Sequence, residues 1–355
     1  MINKIKVLIV DDSILFRKVL IEKLSAYKNI EVIGYAIDAY DAQKKIPYYK
    51  PDVITLDVEM PKMNGIEFLK QLMPQNPIPV VLVSSLNLNV FEALSAGAVD
   101  FVKKPDMSQQ NNMTSFISEL AAKISIASHA VVGRSTNLKP TSTSAVSLAP
   151  PPLPQTPLPV VSAKLDSMII AIGASTGGTE ATLTVLKEFP VDTPGIVVVQ
   201  HMPAGFTKMY AERLNRLCKM EVREAKNGDR VKRGCVLIAP GDQHMKIVKI
   251  GSTYTVSCFT AEKVSGHRPS VDVLFNSMAE SVKKDAIGII MTGMGRDGAS
   301  GLLNMRKNGA YTIGQNKETC VVYGMPMVAY NIGAVSLQAS CNNIAGVLNR
   351  YLSKI

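Results

Sequence analysis

The chain has 355 residues, enough for two ordinary domains that each bury a core. It carries a formal net charge of +10, yet it has no Trp, only 6% aromatic residues, and Lys and Arg spread over both halves. This composition indicates a globular protein with a solvated basic surface and argues against nucleic-acid binding and membrane insertion. The five cysteines are scattered and include no Cys-x-x-Cys pair, so we expect reduced thiols in a cytoplasmic protein without zinc or disulfides.

The segment before about residue 127 alternates short apolar strands with amphipathic helices. The predicted strands are 6–10, 31–36, 53–56, 80–84 and 101–102, and the predicted helices include 14–24, 66–72 and 90–96. This alternation predicts an α/β domain with a doubly wound parallel sheet and helices on both faces. Ligands bind such sheets at the carboxyl ends of the strands, so the residues that end each strand are the first candidates for chemistry.

Between about 128 and 164 the periodic pattern stops. Ser and Thr fill 141–144, and Pro dominates 150–154 and recurs at Pro157 and Pro159. Such a composition cannot pack a core and favours extended polyproline geometry. The sequence therefore predicts a semi-rigid linker over 128–164 that joins a domain at 1–127 to a domain at 165–355.

The segment from 165 onward repeats the alternation of strands and helices. The predicted strands are 168–172, 196–200, 236–239 and 287–291, the predicted helices are 179–188, 208–217 and 272–282, and a hairpin is expected at 245–259. This pattern predicts a second doubly wound parallel-sheet domain, of Rossmann-like architecture.

Three carboxylates stand where predicted strands of the first domain end. Asp11 and Asp12 follow the first strand, and Asp57 follows the third. If these strands are neighbours, the repulsion between the carboxylates favours a bound hard cation such as Mg²⁺, and one of them could attack phosphate. Ser84 ends the fourth strand and Lys104 follows the fifth, which supplies a hydroxyl and a cation for phosphoryl oxygens.

With these residues, the segment 5–123 resembles the receiver domain of two-component response regulators, which has a flavodoxin-like fold. The motifs that carry the resemblance are Asp11-Asp12, Asp57 with Met60-Pro61 and Asn64-Gly65, Val83-Ser84-Ser85, and Lys104-Pro105. The resemblance implies that a histidine kinase phosphorylates Asp57, and that Asp11 and Asp12 help Asp57 to hold Mg²⁺. It also implies that Ser84 hydrogen-bonds the phosphoryl group and that Lys104 pairs with it.

A single serine follows the apolar run 168–172 in the sequence Gly173-Ala174-Ser175-Thr176-Gly177-Gly178. Gly-x-Ser-x-Gly at a strand-to-helix turn is typical of a nucleophilic serine that is held clear of a sheet. The alternative is a glycine-rich turn in which Ser175 only caps the following helix. These residues alone do not decide between the two readings.

A nucleophilic serine needs a base, and the chain offers four histidines. His201 directly follows an apolar strand, so a parallel sheet would bring it to the same edge as Ser175. His129 lies at the edge of the linker, while His244 and His267 fall in predicted loops, where a histidine is more often a surface residue. His201 is therefore the best candidate.

The acid that orients the base is expected at the end of the strand 287–291. This strand runs into the glycine-rich turn that contains Asp297. The competing residue is Asp272, but Ser270 has the features of an N-cap, which would place Asp272 in a first helical turn, where acids are favoured by the helix dipole alone. We therefore favour Asp297. The order Ser, His, Asp differs from that of α/β-hydrolases.

The segment 167–352 resembles the catalytic domain of the chemotaxis-specific protein-glutamate methylesterase (CheB) family. The motifs that carry the resemblance are Gly173-Ala174-Ser175-Thr176-Gly177-Gly178, Gln200-His201-Met202-Pro203, Ser270-Val271-Asp272-Val273-Leu274-Phe275 and Thr292-Gly293-Met294-Gly295-Arg296-Asp297-Gly298. The resemblance implies that Ser175 is the nucleophile, His201 the base and Asp297 the acid. It adds the backbone N–H of Met294 as an oxyanion donor.

Together the two resemblances imply a phosphorylation-activated hydrolase that removes methyl groups from glutamate γ-methyl esters of methyl-accepting chemoreceptors and also deamidates receptor glutamines. The unphosphorylated receiver is expected to cover the esterase cleft. Mg²⁺ is expected for phosphorylation of the receiver, and no cofactor is expected for the esterase.

Two other functions stay open at this stage. The second domain could be a binding module, for example for DNA, although no basic helix-turn-helix segment supports this. It could also be an esterase or deamidase that acts on another protein or on a small ester.

Overall fold

The computed structural model describes residues 4–84, 89–105, 110–133 and 162–355. Of the predicted linker, residues 134–161 lie outside these ranges, as does Ser85 of the receiver motif. The described parts of the chain form two parallel sheets, one on each side of the linker. This architecture confirms the predicted α/β class with two doubly wound domains, while the domain boundaries themselves stay predictions.

The first sheet has five parallel strands in the order β2-β1-β3-β4-β5, the flavodoxin-like order. Its strands are β1 (Ile5–Val10), β2 (Ile30–Ala36), β3 (Val53–Asp57), β4 (Val80–Ser84) and β5 (Asp100–Lys103). Its helices are α1 (Ile14–Leu24), α2 (Ala39–Tyr49), α3 (Gly65–Gln75), α4 (Asn89–Ser95) and α5 (Gln110–Ala127). The central strands β3 and β4 are buried along their whole length, as parallel strands covered on both faces should be.

The second sheet has seven parallel strands in the order β14-β13-β12-β6-β7-β9-β8. Its strands are β6 (Ile169–Ala174), β7 (Gly195–Gln200), β8 (Glu221–Glu224), β9 (Cys235–Ile238), β12 (Ala286–Ile290), β13 (Tyr311–Gln315) and β14 (Leu337–Ala339). The expected hairpin is the antiparallel pair β10 (His244–Ile250) and β11 (Thr253–Phe259). The helices are α6 (Ser162–Ser167), α7 (Gly178–Lys187), α8 (Phe206–Leu217), α9 (Val271–Ser281), α10 (Ala299–Lys307), α11 (Met325–Asn331) and α12 (Cys341–Leu352).

Aromatic side chains join the two domains. Phe91 of α4 stacks on Tyr210 of α8, with ring centroids 5.7 Å apart and an interplanar angle of 23°. Phe101 of β5 packs against Phe206 at a centroid distance of 4.5 Å. All four rings are nearly or fully buried, so this contact is part of a continuous apolar core.

Polar contacts flank the aromatic ones. The hydroxyl of Thr176, the residue after Ser175, donates to Asp100 Oδ2 at 2.5 Å. The Arg213 guanidinium donates to Ser95 Oγ at 2.7 Å and forms an ion pair with Glu180 at 2.8 Å. The receiver domain is thus hydrogen-bonded to the turn that carries the candidate nucleophile.

Within the described ranges, no helix is long and apolar enough to cross a membrane.

Candidate functional site

Three neighbouring strands in the middle of the second sheet lead to the predicted triad. β6 lies between β12 and β7, with Gly173 in register with Ile290 and Ala174 in register with Gln200. Ser175 follows β6, His201 follows β7, and Asp297 lies in the turn between β12 and α10. The chain leaves β6 toward one side of the sheet and later returns to the other side, which makes this edge the topological switch point where ligands bind in such folds.

Ser175 lies in the turn between β6 and α7, as predicted, but it does not cap the helix. The N-cap of α7 is Gly177, with φ of 77° and no side-chain capping bond, and the Gly178 N–H donates to the Ser175 carbonyl at 2.7 Å. A Cβ on Gly177 would also lie 2.6 Å from the Val321 side chain. The capping alternative is therefore wrong, and the Ser175 hydroxyl has no role in capping the helix.

His201 and Asp297 form a buried hydrogen-bonded pair. The Nε2 atom of His201 lies 2.8 Å from Asp297 Oδ2, and the side chains are 7% and 1% exposed. The Nδ1 atom of His201 is buried and has no hydrogen-bond partner among the described residues. Nδ1 is therefore the imidazole nitrogen that is free to accept a proton, and no hydrogen bond joins it to Ser175.

The N-terminus of α9 holds the Asp297 carboxylate. Oδ1 accepts from the Ser270 hydroxyl at 2.8 Å and from the Asp272 N–H at 3.0 Å, and Oδ2 accepts from the Val271 N–H at 2.8 Å. Burial alone would raise the pKa of Asp297. The hydrogen bond and charge of His201, together with the backbone N–H groups, outweigh burial and lower this pKa to about 2. Asp297 is thus an anion held in a fixed orientation.

Asp272 is not in contact with the base. It lies in the first turn of α9 behind the N-cap Ser270, as predicted, and its Oδ1 accepts from the Gly301 N–H at 2.7 Å. Burial and the neighbouring Asp297 charge raise the pKa of Asp272. Its carboxylate therefore ties α9 to α10, and the choice of Asp297 over Asp272 agrees with the geometry.

The turn after β12 packs directly against the turn of Ser175. The Ser175 N–H donates to the Thr292 carbonyl at 3.0 Å, and a Cβ on Gly293 would lie 2.6 Å from Ser175 Cβ. Only glycine permits this approach. Met294 is the next residue along this turn and is 43% exposed. Its role as oxyanion donor stays a prediction.

Two of the other three histidines differ from the expectation of surface residues. His244 is buried at the start of β10, where Nδ1 accepts from the Ser270 N–H at 3.2 Å. His267 stacks on His201 with ring centroids 3.7 Å apart. Both were expected to be surface residues, and that expectation is wrong for both, whereas His129 is exposed as predicted. The predicted hairpin next to His244 could have indicated that this residue is buried at the start of a strand. Nothing in the sequence indicated the stacking of His267.

The predicted acidic cluster forms at the edge of the first sheet. One carboxylate oxygen each of Asp11, Asp12 and Asp57 lies within 4.8 Å of the others. Asp11 and Asp57 are buried, whereas Asp12 is exposed. Lys104 Nζ lies 2.5 Å from Asp57 Oδ2 and 3.0 Å from Asp11 Oδ2. The structure therefore brings the three carboxylates and the Lys104 ammonium together, as their positions at strand ends predicted.

The cluster has the chemistry of a cation site. Burial raises the pKa of Asp57 to about 6 in spite of the neighbouring Lys104. Burial lowers the pKa of Lys104, but Asp57 and Asp11 outweigh it and raise that pKa overall. Asp11 Oδ2 is buried and pairs with the Lys104 ammonium, whereas Ser84 Oγ is buried without a hydrogen-bond partner among the described residues. Clustered carboxylate oxygens of this kind fit a hard cation such as Mg²⁺.

Comparison with known proteins assigns both halves of the chain. Residues 170–348 match the model of the CheB methylesterase, and residues 7–115 match that of the response regulator receiver domain. The chain is 53% identical to a protein-glutamate methylesterase/protein-glutamine glutaminase 2 of Syntrophomonas wolfei, over 100% of this chain and 99% of the relative. It is 45% identical to a protein-glutamate methylesterase/protein-glutamine glutaminase of Salmonella typhimurium, over 99% of this chain and 97% of the relative.

A solved structure supports the second domain. The CheB methylesterase catalytic domain of Thermotoga maritima is 36% identical and superimposes with a TM-score of 0.51, covering 53% of this chain and 98% of that chain. The chain therefore belongs to the CheB family of receiver-linked methylesterases.

Proposed function

We propose that the protein hydrolyses glutamate γ-methyl esters on methyl-accepting chemoreceptors in the cytoplasm and deamidates receptor glutamines. The observation that carries the proposal is the arrangement of Ser175, His201 and Asp297 at the ends of three neighbouring strands, with the buried 2.8 Å pair between His201 and Asp297. The names of the relatives support the substrate class. The cytoplasmic location is in keeping with five cysteines that are all free thiols.

The first half of the reaction forms an acyl-enzyme. Ser175 Oγ attacks the side-chain carbonyl carbon while its proton passes to His201 Nδ1, and Asp297 stabilises the imidazolium through Nε2. The tetrahedral intermediate collapses when the C–O bond to the methoxy group breaks, and the imidazolium gives its proton to the departing methoxy oxygen, so that methanol leaves. With glutamine, the C–N bond breaks and ammonia leaves.

The second half restores the enzyme. Water attacks the acyl carbon, His201 accepts its proton, and the Ser175 oxygen leaves with that proton, which yields a free glutamate carboxylate. In both halves negative charge develops on the carbonyl oxygen, next to the turn that contains Met294. One preorganised N–H donor at this position is worth about 3 to 4 kcal/mol of transition-state stabilisation.

The receiver is proposed to regulate this reaction. A histidine kinase transfers a phosphoryl group to Asp57. Asp11, Asp12 and Asp57 would hold Mg²⁺, which would supply positive charge for the phosphoryl oxygens. Lys104 and Ser84 then bind the phosphoryl oxygens. The buried, unpaired hydroxyl of Ser84 supports this role, because it lacks a partner among the described residues.

Contacts beside the esterase site support control by the receiver. Asp100 of the receiver accepts a hydrogen bond from Thr176, the neighbour of Ser175. The Val131 N–H donates to the Val321 carbonyl at 3.1 Å, and Val321 packs against Gly177 in the same turn. We propose that phosphorylation of Asp57 loosens this packing and opens the cleft to the receptor.

Methanol release from methylated receptor membranes tests the proposal. The wild-type chain should release methanol, a phosphodonor with Mg²⁺ should increase the rate, and chelation of Mg²⁺ should remove the increase. Ser175→Ala should abolish release, whereas Ser353→Ala, at an exposed serine, should not change it. Asp57→Asn should bring the ratio of stimulated to unstimulated release to about one. Release by Ser175→Ala would refute the esterase assignment, and a stimulated Asp57→Asn would refute the regulation.

A further inference from the structure

We propose that His267 is a positioning residue for ester hydrolysis. Its ring stacks on His201 and holds that imidazole in the orientation in which Nε2 meets Asp297 and Nδ1 is left to accept the proton of Ser175. This inference rests on the proposed role of His201 as the general base. No residue pattern in the sequence assigns His267 to the site.

The stack is close and nearly parallel. The ring centroids of His201 and His267 are 3.7 Å apart, and the ring planes differ by 11°. The torsion that turns a histidine ring about its Cβ–Cγ bond has broad minima, so rotamer preference alone does not fix where the two nitrogens point. A flat neighbour against one face opposes this rotation, because the turning ring would collide with it.

A rigid turn delivers the His267 ring. Two backbone hydrogen bonds close it, from Val264 N–H to the His267 carbonyl at 3.1 Å and from His267 N–H to the Val264 carbonyl at 2.9 Å. Ser265 and Gly266 between them have φ of 53° and 82°, the left-handed values that a two-residue hairpin turn requires. A Cβ on Gly266 would meet nothing within 4 Å, so the glycine serves the turn and not the packing.

The residue after His267 anchors this turn to the domain. The Arg268 guanidinium donates to Asp242 Oδ1 at 2.7 Å and 3.1 Å, and to the Ala261 carbonyl at 2.6 Å. The position of the His267 ring is therefore set by backbone closure on one side and by a side-chain clamp on the other.

The charges around the stack suit the role. Burial and the charge of His201 lower the pKa of His267 to about 4, so the ring is neutral near pH 7. The other charged groups that face it are Asp297, Lys263 and Lys123 of the receiver. A neutral aromatic face against His201 does not repel the imidazolium that forms when Ser175 attacks, and attracts it weakly.

Kinetics of the full chain on methylated receptor membranes, with phosphodonor present, test the inference. His267→Ala should lower kcat about tenfold and leave KM within about twofold, because the base is misoriented while the substrate surface is intact. His267→Phe keeps a neutral ring in the stack and should retain kcat within about threefold. If His267→Ala does not fold, His267→Gln, which has no ring, is judged by the same criteria.

Nitrogen-15 NMR of the His201 imidazole distinguishes positioning from general destabilisation. In the wild-type chain and in His267→Phe, the two ring nitrogens should give the separate shifts of one fixed neutral tautomer. In His267→Ala these shifts should move toward each other as the ring samples other orientations. Three outcomes would overturn the inference. They are a kcat loss in His267→Ala without a change in the His201 nitrogen shifts, a normal kcat in His267→Ala, and equal kcat losses in His267→Ala and His267→Phe.

Two controls separate this inference from the proposed function. His129→Ala removes an exposed histidine at the end of α5 and should behave as wild type in both measurements. His201→Gln should abolish methanol release if His201 is the base. Activity in His201→Gln contradicts the proposed triad itself, whereas its loss together with an unaffected His267→Ala contradicts only the positioning role.

Discussion

The Asp297 carboxylate binds both His201 and the N-terminus of α9. Its two oxygens orient His201 and also accept the Ser270 hydroxyl and the first N–H groups of α9. Its pKa is lowered to about 2, below the 3.8 of an unperturbed aspartate. A lowered pKa in the folded state means that the charge stabilises the fold above pH 3.8, and that this stabilisation is lost as the pH falls through about 2.

Asp297→Asn should therefore cost about 2 kcal/mol of unfolding free energy at pH 7, where the wild-type carboxylate is fully charged. The cost should stay nearly constant down to about pH 4 and shrink below it, because the unfolded carboxylate takes up a proton near pH 3.8 while the native one stays charged down to about pH 2. Urea unfolding followed by circular dichroism between pH 3 and pH 7 measures it. Asp192→Asn, at an exposed aspartate, is the matched control. An equal cost for Asp297→Asn at pH 3 and pH 7 would contradict the electrostatic explanation.

At the scale of elements, the candidate active site lies where two turns contact each other. The turn after β6 carries Ser175 and the turn after β12 carries Met294, and Gly293 lets the two backbones approach. The strands bring the turns to one edge, but the absent side chain at Gly293 sets their separation. A side chain at position 293 should therefore lower kcat more than it lowers the free energy of unfolding.

Gly293→Ala should lower kcat by about 100-fold or more, because a shift of about 1 Å between the Ser175 turn and the Met294 turn is enough for such a loss. Methanol release and thermal unfolding are measured on the same preparation. Gly346→Ala in α12, where a Cβ would meet only an ordinary contact at 3.6 Å, should keep full activity. Unchanged kcat in Gly293→Ala would show that the turns can separate without loss.

The same scale shows how far the sequence could predict the fold and the site. Ser175, His201 and Asp297 were predictable because each follows a buried strand, and strand ends in a parallel sheet share one edge. Helix α2 has a weaker signal in the sequence because it buries only Ala39, Ala42 and Ile46 and contains Pro47, which leaves little apolar periodicity.

The contacts that the sequence could not predict join residues that are distant in the chain. His267 reaches His201 from a turn between the hairpin and α9, and a sequence pattern carries no information about which ring it will meet. The hydrogen bond between Thr176 of the esterase domain and Asp100 of the receiver was equally unpredictable, because the two residues are far apart in the chain. Local periodicity predicts elements, whereas contacts between distant turns depend on how the elements pack.

At the scale of the whole molecule, the two domains share an apolar core with charged contacts at its margin. Arg213 of α8 reaches Ser95 at 2.7 Å and lies over the Phe91 ring. Its side chain is 12% exposed, so the contact is shielded from solvent. Such a bond contributes about 1 kcal/mol to the packing of the two domains against each other.

Arg213→Ala should therefore raise methanol release in the absence of phosphodonor by roughly fivefold, because about 1 kcal/mol changes the ratio of closed to open molecules by that factor. The fully stimulated rate should change little. Arg216→Ala, at an exposed arginine on the same helix, should leave both rates unchanged. An unstimulated rate in Arg213→Ala equal to that of wild type would contradict control through this interface.

Strand β5 has a further consequence for signalling. It begins at Asp100, which holds the neighbour of the nucleophile, and it is followed by Lys104, which holds Asp57. At about 3.3 Å per residue, the four steps from Asp100 to Lys104 span roughly 13 Å. The proposed phosphorylation site Asp57 and the Ser175 turn thus contact residues at opposite ends of strand β5. A shift of Lys104 along the strand axis would reach the esterase turn directly, without relay through other elements.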